Sequence, residues 1–364
     1  MKILLIGEYS NVHATLREGL RALGHQVTLI SNGDFWKDYP RDIDLSRPEG
    51  CGSGITYVLR LCRLLPKMRG YDVVQIINPM FVELKAARIF PLYRYLRRHN
   101  TRVFLCAFGM DYYWVSQCCE RMPLRYSDFN IGDRIRQDQT ATTLRAEWMG
   151  TDKERLNRYI ATHCDGIVAG LYEYWVCYHP LFPKATTYIP FPIMCSGRHT
   201  PVSPATLPVK VFIGINTTRS AYKGTDIMLR AAEDLQRQYP DRMRLTIAHS
   251  VPFSQYRKML GEADILLDQL YSYTPSMNTL EAMSQGIVCV GGGEPEFYDF
   301  IHEPRLRPIV NVRPSYDDVR DKLEQLILHP DNIQRLKAES VTFVHKHHHY
   351  IDVARQYVQF WSRP

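Results

Sequence analysis

The chain has 364 residues, enough for two domains of ordinary size. Hydrophobic residues make up 45% and charged residues 23%, an ordinary globular balance that excludes a disordered, collagen-like or coiled-coil chain. The net charge of +7 gives a mild attraction to phosphates, nucleotides and acidic lipid, and is far from the basic face of a DNA-binding domain, so no nucleic-acid partner is expected.

The first segment, KILLIG (2–7), is a short apolar run ending in Gly and reads as a strand. It is too short for a signal peptide, and no run approaches the roughly 18–20 residues of a membrane helix. Nine Cys without a CxxC read as reduced thiols, which points to the cytoplasm. Leu16, Leu20 and Leu23 form a helical stripe that ends at Gly24, and VTLIS (27–31) is the second strand. Strand, helix and strand in about thirty residues make a βαβ unit, hence a parallel sheet. Further strands fall at 72–77, 102–108 and 166–170, with helices at 55–66, 81–98 and 151–163, giving an open α/β domain.

Ligands bind such sheets at the carboxyl ends of the strands. Gly7-Glu8-Tyr9-Ser10, Asn78-Pro79, Phe108-Gly109-Met110-Asp111 and Gly170-Leu171 mark that rim. The first strand runs into GEYSNVH rather than GxGxxG, which weighs against a dinucleotide oxidoreductase. Residues 112–149, aromatic and Arg-rich, are expected either to shape a pocket beside Asp111 or to be a solvated excursion. The segment RIFPLYRYLRRHN (88–100) reads first as a packed helix and second as a peripheral contact with an anionic membrane.

From 183 to 208 the chain carries six Pro, too many for a long helix or a central strand, and this is the domain boundary. Beyond it, strands are expected at 209–215, 244–249, 263–269 and 287–292, with helices at 224–238, 254–260 and 277–285. The chain thus divides into 1–195 and 205–345, two α/β domains with a ligand cleft expected between them. A helix at 346–364 is expected to pack back on the first. The run HKHHHY (345–350) does not put consecutive imidazoles on one helix face, so no metal site is expected.

Three features lie on the second rim. Arg219-Ser220-Ala221-Tyr222-Lys223-Gly224 places two cations between a strand and a helix, which suits a diphosphate. TPSMNTLEAMSQG (274–286) opens a helix with small and hydroxyl residues, so the N–H groups of Ser276, Met277, Asn278 and Thr279 can meet a phosphate, and Glu281 can accept both hydroxyls of a ribose. GGGEPEF (291–297) permits close backbone approach.

In that order, RSAYKGTD, ADILLDQL and LEAMSQG resemble the second domain of the retaining glycosyltransferases of family 4. The resemblance implies the GT-B architecture, two Rossmann-like domains facing a cleft. It also implies a nucleoside-diphosphate sugar as co-substrate, with no cofactor and no metal. Arg219 and Lys223 match the basic pair that steadies the diphosphate, and Glu281 the ribose-holding Glu of the paired-Glu motif. Gly7 falls on the donor side, and Tyr9, His13, Gly109 and Asp111 on the acceptor side, with Asp111 positioning the acceptor. The first Glu of the motif falls at Tyr273, the basic pair is one residue tighter than usual, and Phe108 stands where many relatives have His. The expected activity is sugar transfer, with retention, to a hydroxyl of a glycan or lipid-linked saccharide. A non-catalytic nucleotide-sugar- or glycan-binding protein and a sugar-nucleotide epimerase or phosphorylase are the alternatives.

Overall fold

A computed structural model describes residues 1–195, 206–215 and 220–363. The chain forms two units, Met1–Arg121 with Leu144–Pro192 and Tyr350–Pro364, and Met122–Thr143 with Ile193–His349.

The first unit is built on a seven-stranded parallel sheet. In chain order its strands begin with β1 (Lys2–Ile6), β2 (Gln26–Ser31), β3 (Ile43–Asp44), β4 (Val73–Ile76) and β5 (Arg102–Ala107). A small antiparallel hairpin, β6 (Asn130–Ile131) and β7 (Arg134–Ile135), belongs to the second unit, and β8 (Gly166–Ala169) and β9 (Thr186–Tyr188) complete the sheet. The order is β3-β2-β1-β4-β5-β8-β9. Ile3 to Ile6 and all of β4 and β8 are buried, as strands covered by helices on both faces must be.

Its helices are α1 (Val12–Ala22), α2 (Ser53–Leu64), α3 (Ala86–His99), α4 (Tyr112–Glu120), α6 (Asp152–His163) and α7 (Tyr172–Tyr178), while α5 (Gln139–Trp148) begins among residues of the second unit and ends among those of the first. α3 starts five residues later than the sequence suggests, because Phe81 and Val82 are buried in an irregular segment and Lys85 is extended. Its apolar face (Ile89, Leu92, Tyr93, Leu96) is buried, with Phe90 and Tyr93 against Tyr159 of α6. Among the described residues no helix is long and apolar enough to cross a membrane.

The second unit carries a five-stranded parallel sheet, β10 (Val209–Ile215), β11 (Met243–His249), β12 (Ile265–Leu267), β13 (Val288–Gly291) and β14 (Val310–Asn311), in the order β11-β10-β12-β13-β14. Its helices are α8 (Ser220–Lys223), α9 (Thr225–Gln238), α10 (Phe253–Gly261), α11 (Met277–Ser284), α12 (Pro295–Phe300), α13 (Tyr316–Leu328) and α14 (Pro330–His348). Met228, Ala231, Ala232 and Leu235 of α9 meet Val319, Leu323 and Ile327 of α13 in one apolar cluster with the sheet.

The final helix, α15 (Tyr350–Trp361), returns to the first unit and packs on α1, burying Val353, Ala354, Tyr357, Phe360 and Trp361. The helix expected over 346–364 is thus shared between two, broken at His349, whose backbone is not helical (φ −59°, ψ 122°). In the His run, His347 bonds to Glu303 at 2.8 Å and His348 is buried.

The segment 112–149 divides differently from the sequence expectation. α4 stays with the first unit, whereas residues 122–143, including the hairpin, group with the second.

Candidate functional site

In the second sheet β10 sits between β11 and β12, so successive connections leave β10 in opposite directions. The rim beside β10 and β12 is therefore a topological switch point, where open α/β sheets bind ligands. Arg219 follows β10 but lies outside the described residues. The turn of α8 comes next, with Lys223 partly exposed at its end. Gly224 then takes a left-handed conformation (φ 72°) where a Cβ would lie 2.8 Å from the Leu270 side chain. The backbone N–H of Leu270 donates to the Lys223 carbonyl at 3.0 Å, joining the loops that follow β10 and β12. Burial pushes the Asp268 carboxyl, at the end of β12, above the usual carboxylate range, and the Lys223 ammonium pulls it back.

The start of α11 lies on the same rim. Ser276 occupies the N-cap position with an extended backbone, and its hydroxyl makes no capping bond. The first-turn N–H groups thus keep the partial positive charge of a helix start. Met277 and Thr279 are buried, whereas Asn278 donates its side-chain amide to the Tyr256 hydroxyl at 2.9 Å. The Tyr256 ring meets Phe212 edge-on at 5.2 Å and fills the space above Gly214. Glu281, one turn further along α11, pairs with Arg257 at 3.1 Å, and its side chain is 34% exposed. The rim offers a lysine, an uncapped helix start and an accessible carboxylate, a donor set for a phosphate group and a diol.

Tyr273 is 2% exposed and fully engaged. Its hydroxyl accepts from the Arg125 backbone N–H at 2.8 Å, and its ring lies 4.9 Å from that of Tyr126. The Glu294 carboxylate, from the Gly-rich segment, is buried and accepts from the Arg125 guanidinium at 2.5 Å and from the Tyr126 hydroxyl.

In the first unit Gly7 is left-handed (φ 84°), and a Cβ there would strike Ile77 at 2.3 Å. The start of α1 is filled from within: Glu8 accepts from the N–H groups of His13 and Ala14 at 3.2 and 2.7 Å. Burial nonetheless pushes the Glu8 carboxyl up to about 8. His13 is wholly buried, with Nδ1 2.8 Å from the Gly7 carbonyl and Nε2 3.1 Å from the Gln75 amide. Burial pushes its pKa down to about 4, so the ring is neutral near pH 7. The Tyr9 ring lies against Gly109. Gly7, Glu8 and Tyr9 line a small pocket of about 80 Å³ with Asn32, Tyr57 and Glu83. Asp111 is buried as the N-cap of α4. It accepts from the Trp114 N–H at 2.9 Å and the Tyr178 hydroxyl at 2.8 Å, and burial pushes its pKa up to about 7.

The structure thus gathers Lys223, Ser276, Met277, Asn278, Thr279 and Glu281 on one rim of the second unit. It sets Gly7, Tyr9 and Gly109 on the rim of the first, and places His13 and Asp111 beneath that surface. Sequence reasoning missed Asp268, Tyr256, Arg257, Arg125 and Arg136. The two insertion arginines stood in a segment already notable for Arg and aromatic residues, but nothing local tied them to the second unit. Arg257 carries no signal at all, because its partner lies 24 residues away.

Residues 216–359 match the profile of the "Glycosyl transferase-like" family. No curated protein matches the sequence. Among solved structures the chain is similar to sucrose-phosphate synthase from Thermosynechococcus elongatus (14% identity, TM-score 0.59, 99% of this chain and 98% of that one). It is also similar to Anabaena Alr3699/HepE in complex with UDP and glucose (10%, 0.60, both chains covered in full). WaaG, a glycosyltransferase involved in lipopolysaccharide biosynthesis, is similar at 12% identity and TM-score 0.55, again over both full chains. At these identities the likeness concerns the fold: the chain has the GT-B architecture of two α/β domains with parallel sheets.

Proposed function

We propose that the protein is a retaining glycosyltransferase of family 4 type. It moves a hexosyl group from a nucleoside-diphosphate sugar to a hydroxyl of a glycan or lipid-linked saccharide, without a metal ion. The observation that carries this reading is the shared rim of Lys223, the uncapped start of α11 and the accessible Glu281 at the switch point of the second sheet. Anabaena HepE in complex with UDP and glucose, at the same fold, supports a nucleotide-sugar donor.

As the bond to the anomeric carbon breaks, negative charge grows on the departing diphosphate. Lys223, the first-turn N–H groups of α11 and Arg219 neutralise it, which is where electrostatic catalysis acts most strongly. Glu281 holds the ribose through both hydroxyls. Tyr9 and Gly109 border the acceptor, and Asp111 fixes the start of α4 beside them. An acceptor carried on lipid would bring the protein to the membrane surface as a peripheral partner.

The test is a thermal-shift screen of UDP, ADP and GDP and their glucose conjugates, followed by a donor-hydrolysis assay on the hit. Slow release of free sugar, lost in Lys223→Ala, is the expected result. Tight binding with no turnover over any acceptor panel points instead to a binding protein, and no binding at all overturns the donor site.

A further inference from the structure

Residues 122–143 lie on the second unit and are fastened to its rim at two places. One is the cluster of Arg125 and Tyr126 with Tyr273 and Glu294. The other is Arg136. Its guanidinium is buried, donates to the carbonyls of Ala221 and Tyr222 at 2.9 Å each and to that of Ser127 at 3.3 Å, and pairs with Asp138 at 3.2 Å. Its Cζ also lies over the Tyr271 ring, 3.8 Å from the centroid.

Ala221 and Tyr222 belong to α8, the four-residue turn that ends at Lys223. A helix this short leaves its last carbonyls without intrahelical donors, and a cation there satisfies them and complements their partial negative charge. A planar fork of N–H donors reaches two carbonyls at once, as an ammonium cannot, and its flat face stacks on an aromatic ring. Tyr271 follows β12, and Leu270 beside it already bonds to the Lys223 carbonyl. Arg136 thus ties the turn after β10 to the loop after β12, across the switch point.

We propose that Arg136 is a positioning residue for the donor diphosphate: bound to the Ala221 and Tyr222 carbonyls and lying over the Tyr271 ring, it holds the α8 turn so that Lys223 faces the ligand. The inference rests on the donor reading above and gives it a part from the first half of the sequence. The segment 122–143 serves as a strap that completes the phosphate-binding turn. Arg136 itself spends its donors on the protein and acts on the ligand through Lys223.

The test measures binding of UDP, ADP, GDP and inorganic pyrophosphate to the wild type, Arg136→Ala, Arg136→Lys and Lys223→Ala, together with hydrogen exchange of the amides at 220–226 in the free proteins. Arg136→Ala is expected to weaken binding about tenfold or more, because the charge-assisted hydrogen bonds that hold the Ala221 and Tyr222 carbonyls are lost. Faster exchange at 220–226 should accompany it, and added methylguanidinium should recover part of the affinity. Arg136→Lys, which keeps the charge and guards against a variant that fails to fold, is expected to lose affinity in the same direction. Wild-type binding with unchanged affinity in both Arg136 variants overturns this proposal and leaves the donor site standing. Absence of any binding by the wild type overturns both, and recovery by methylguanidinium excludes a merely structural loss.

Discussion

The backbone N–H of Arg125 donates to the side-chain hydroxyl of Tyr273 at 2.8 Å, across 148 positions of sequence. Tyr273 stands eight residues before Glu281, at the position where the resemblance to family 4 implies a first carboxylate. Here the position anchors a strap. Tyr273→Phe keeps the ring against Tyr126 but removes the acceptor of a part-buried N–H, so a loss of about 1–3 kcal/mol in urea unfolding is expected. Tyr273→Glu sets a carboxylate beside buried Glu294 and is expected to cost more than the Phe variant while conferring no gain in donor turnover. A more stable Tyr273→Glu protein would contradict the anchoring role.

In the proposed donor site Glu281 is the residue that separates ribose binding from phosphate binding. Glu281→Ala is expected to weaken UDP, ADP or GDP binding about tenfold, the worth of a hydrogen-bonded diol on a carboxylate, and to leave pyrophosphate binding unchanged. Isothermal titration with both kinds of ligand decides it; equal losses for both would remove the ribose contact. Arg257→Ala is expected to shift stability by less than about 1 kcal/mol, because its side chain is 58% exposed and the pair is solvent-screened.

Glu8 predicts a pH dependence. Burial raises its folded-state pKa from an ordinary 4.5 to about 8, so the folded protein binds this proton more tightly than the unfolded chain. The resulting stabilisation is complete below the ordinary value and lost as pH rises through 8. Melting curves from pH 5 to 9 should show the wild type losing stability relative to Glu8→Gln across that interval. A difference between the two proteins that stays constant with pH would refute the assignment.

His13 titrates with the opposite consequence. Its Nδ1 faces a carbonyl and so carries the proton, which leaves Nε2 to accept from the Gln75 amide. Burial lowers its folded-state pKa from 6.5 to about 4, so stability present above the ordinary value is lost as pH falls through 4. Nitrogen-15 NMR should find the Nδ1–H tautomer persisting to about pH 4. An imidazolium at pH 6 would contradict the buried geometry.

Much of this molecule can be read locally. Apolar runs such as KILLI and VKVFIGI become strands whose apolar residues are buried while Lys2 and Lys210 stay exposed, and the Pro-dense stretch contributes the short edge strand β9. The rim of the second unit follows from the strand assignment: Lys223 and the start of α11 lie in the connections that leave the carboxyl ends of β10 and β12. Tertiary structure alone assigned the strap and the partners of Tyr273, Glu294 and Arg136, because those bonds join residues more than 80 positions apart. It also separated His13 and Asp111, covered by packing, from Tyr9 and Gly109 on the rim. Local pattern fixes the period of a segment and the strand end it follows. Which buried polar group finds which partner depends on how distant segments close over one another, and no short window of sequence contains that information.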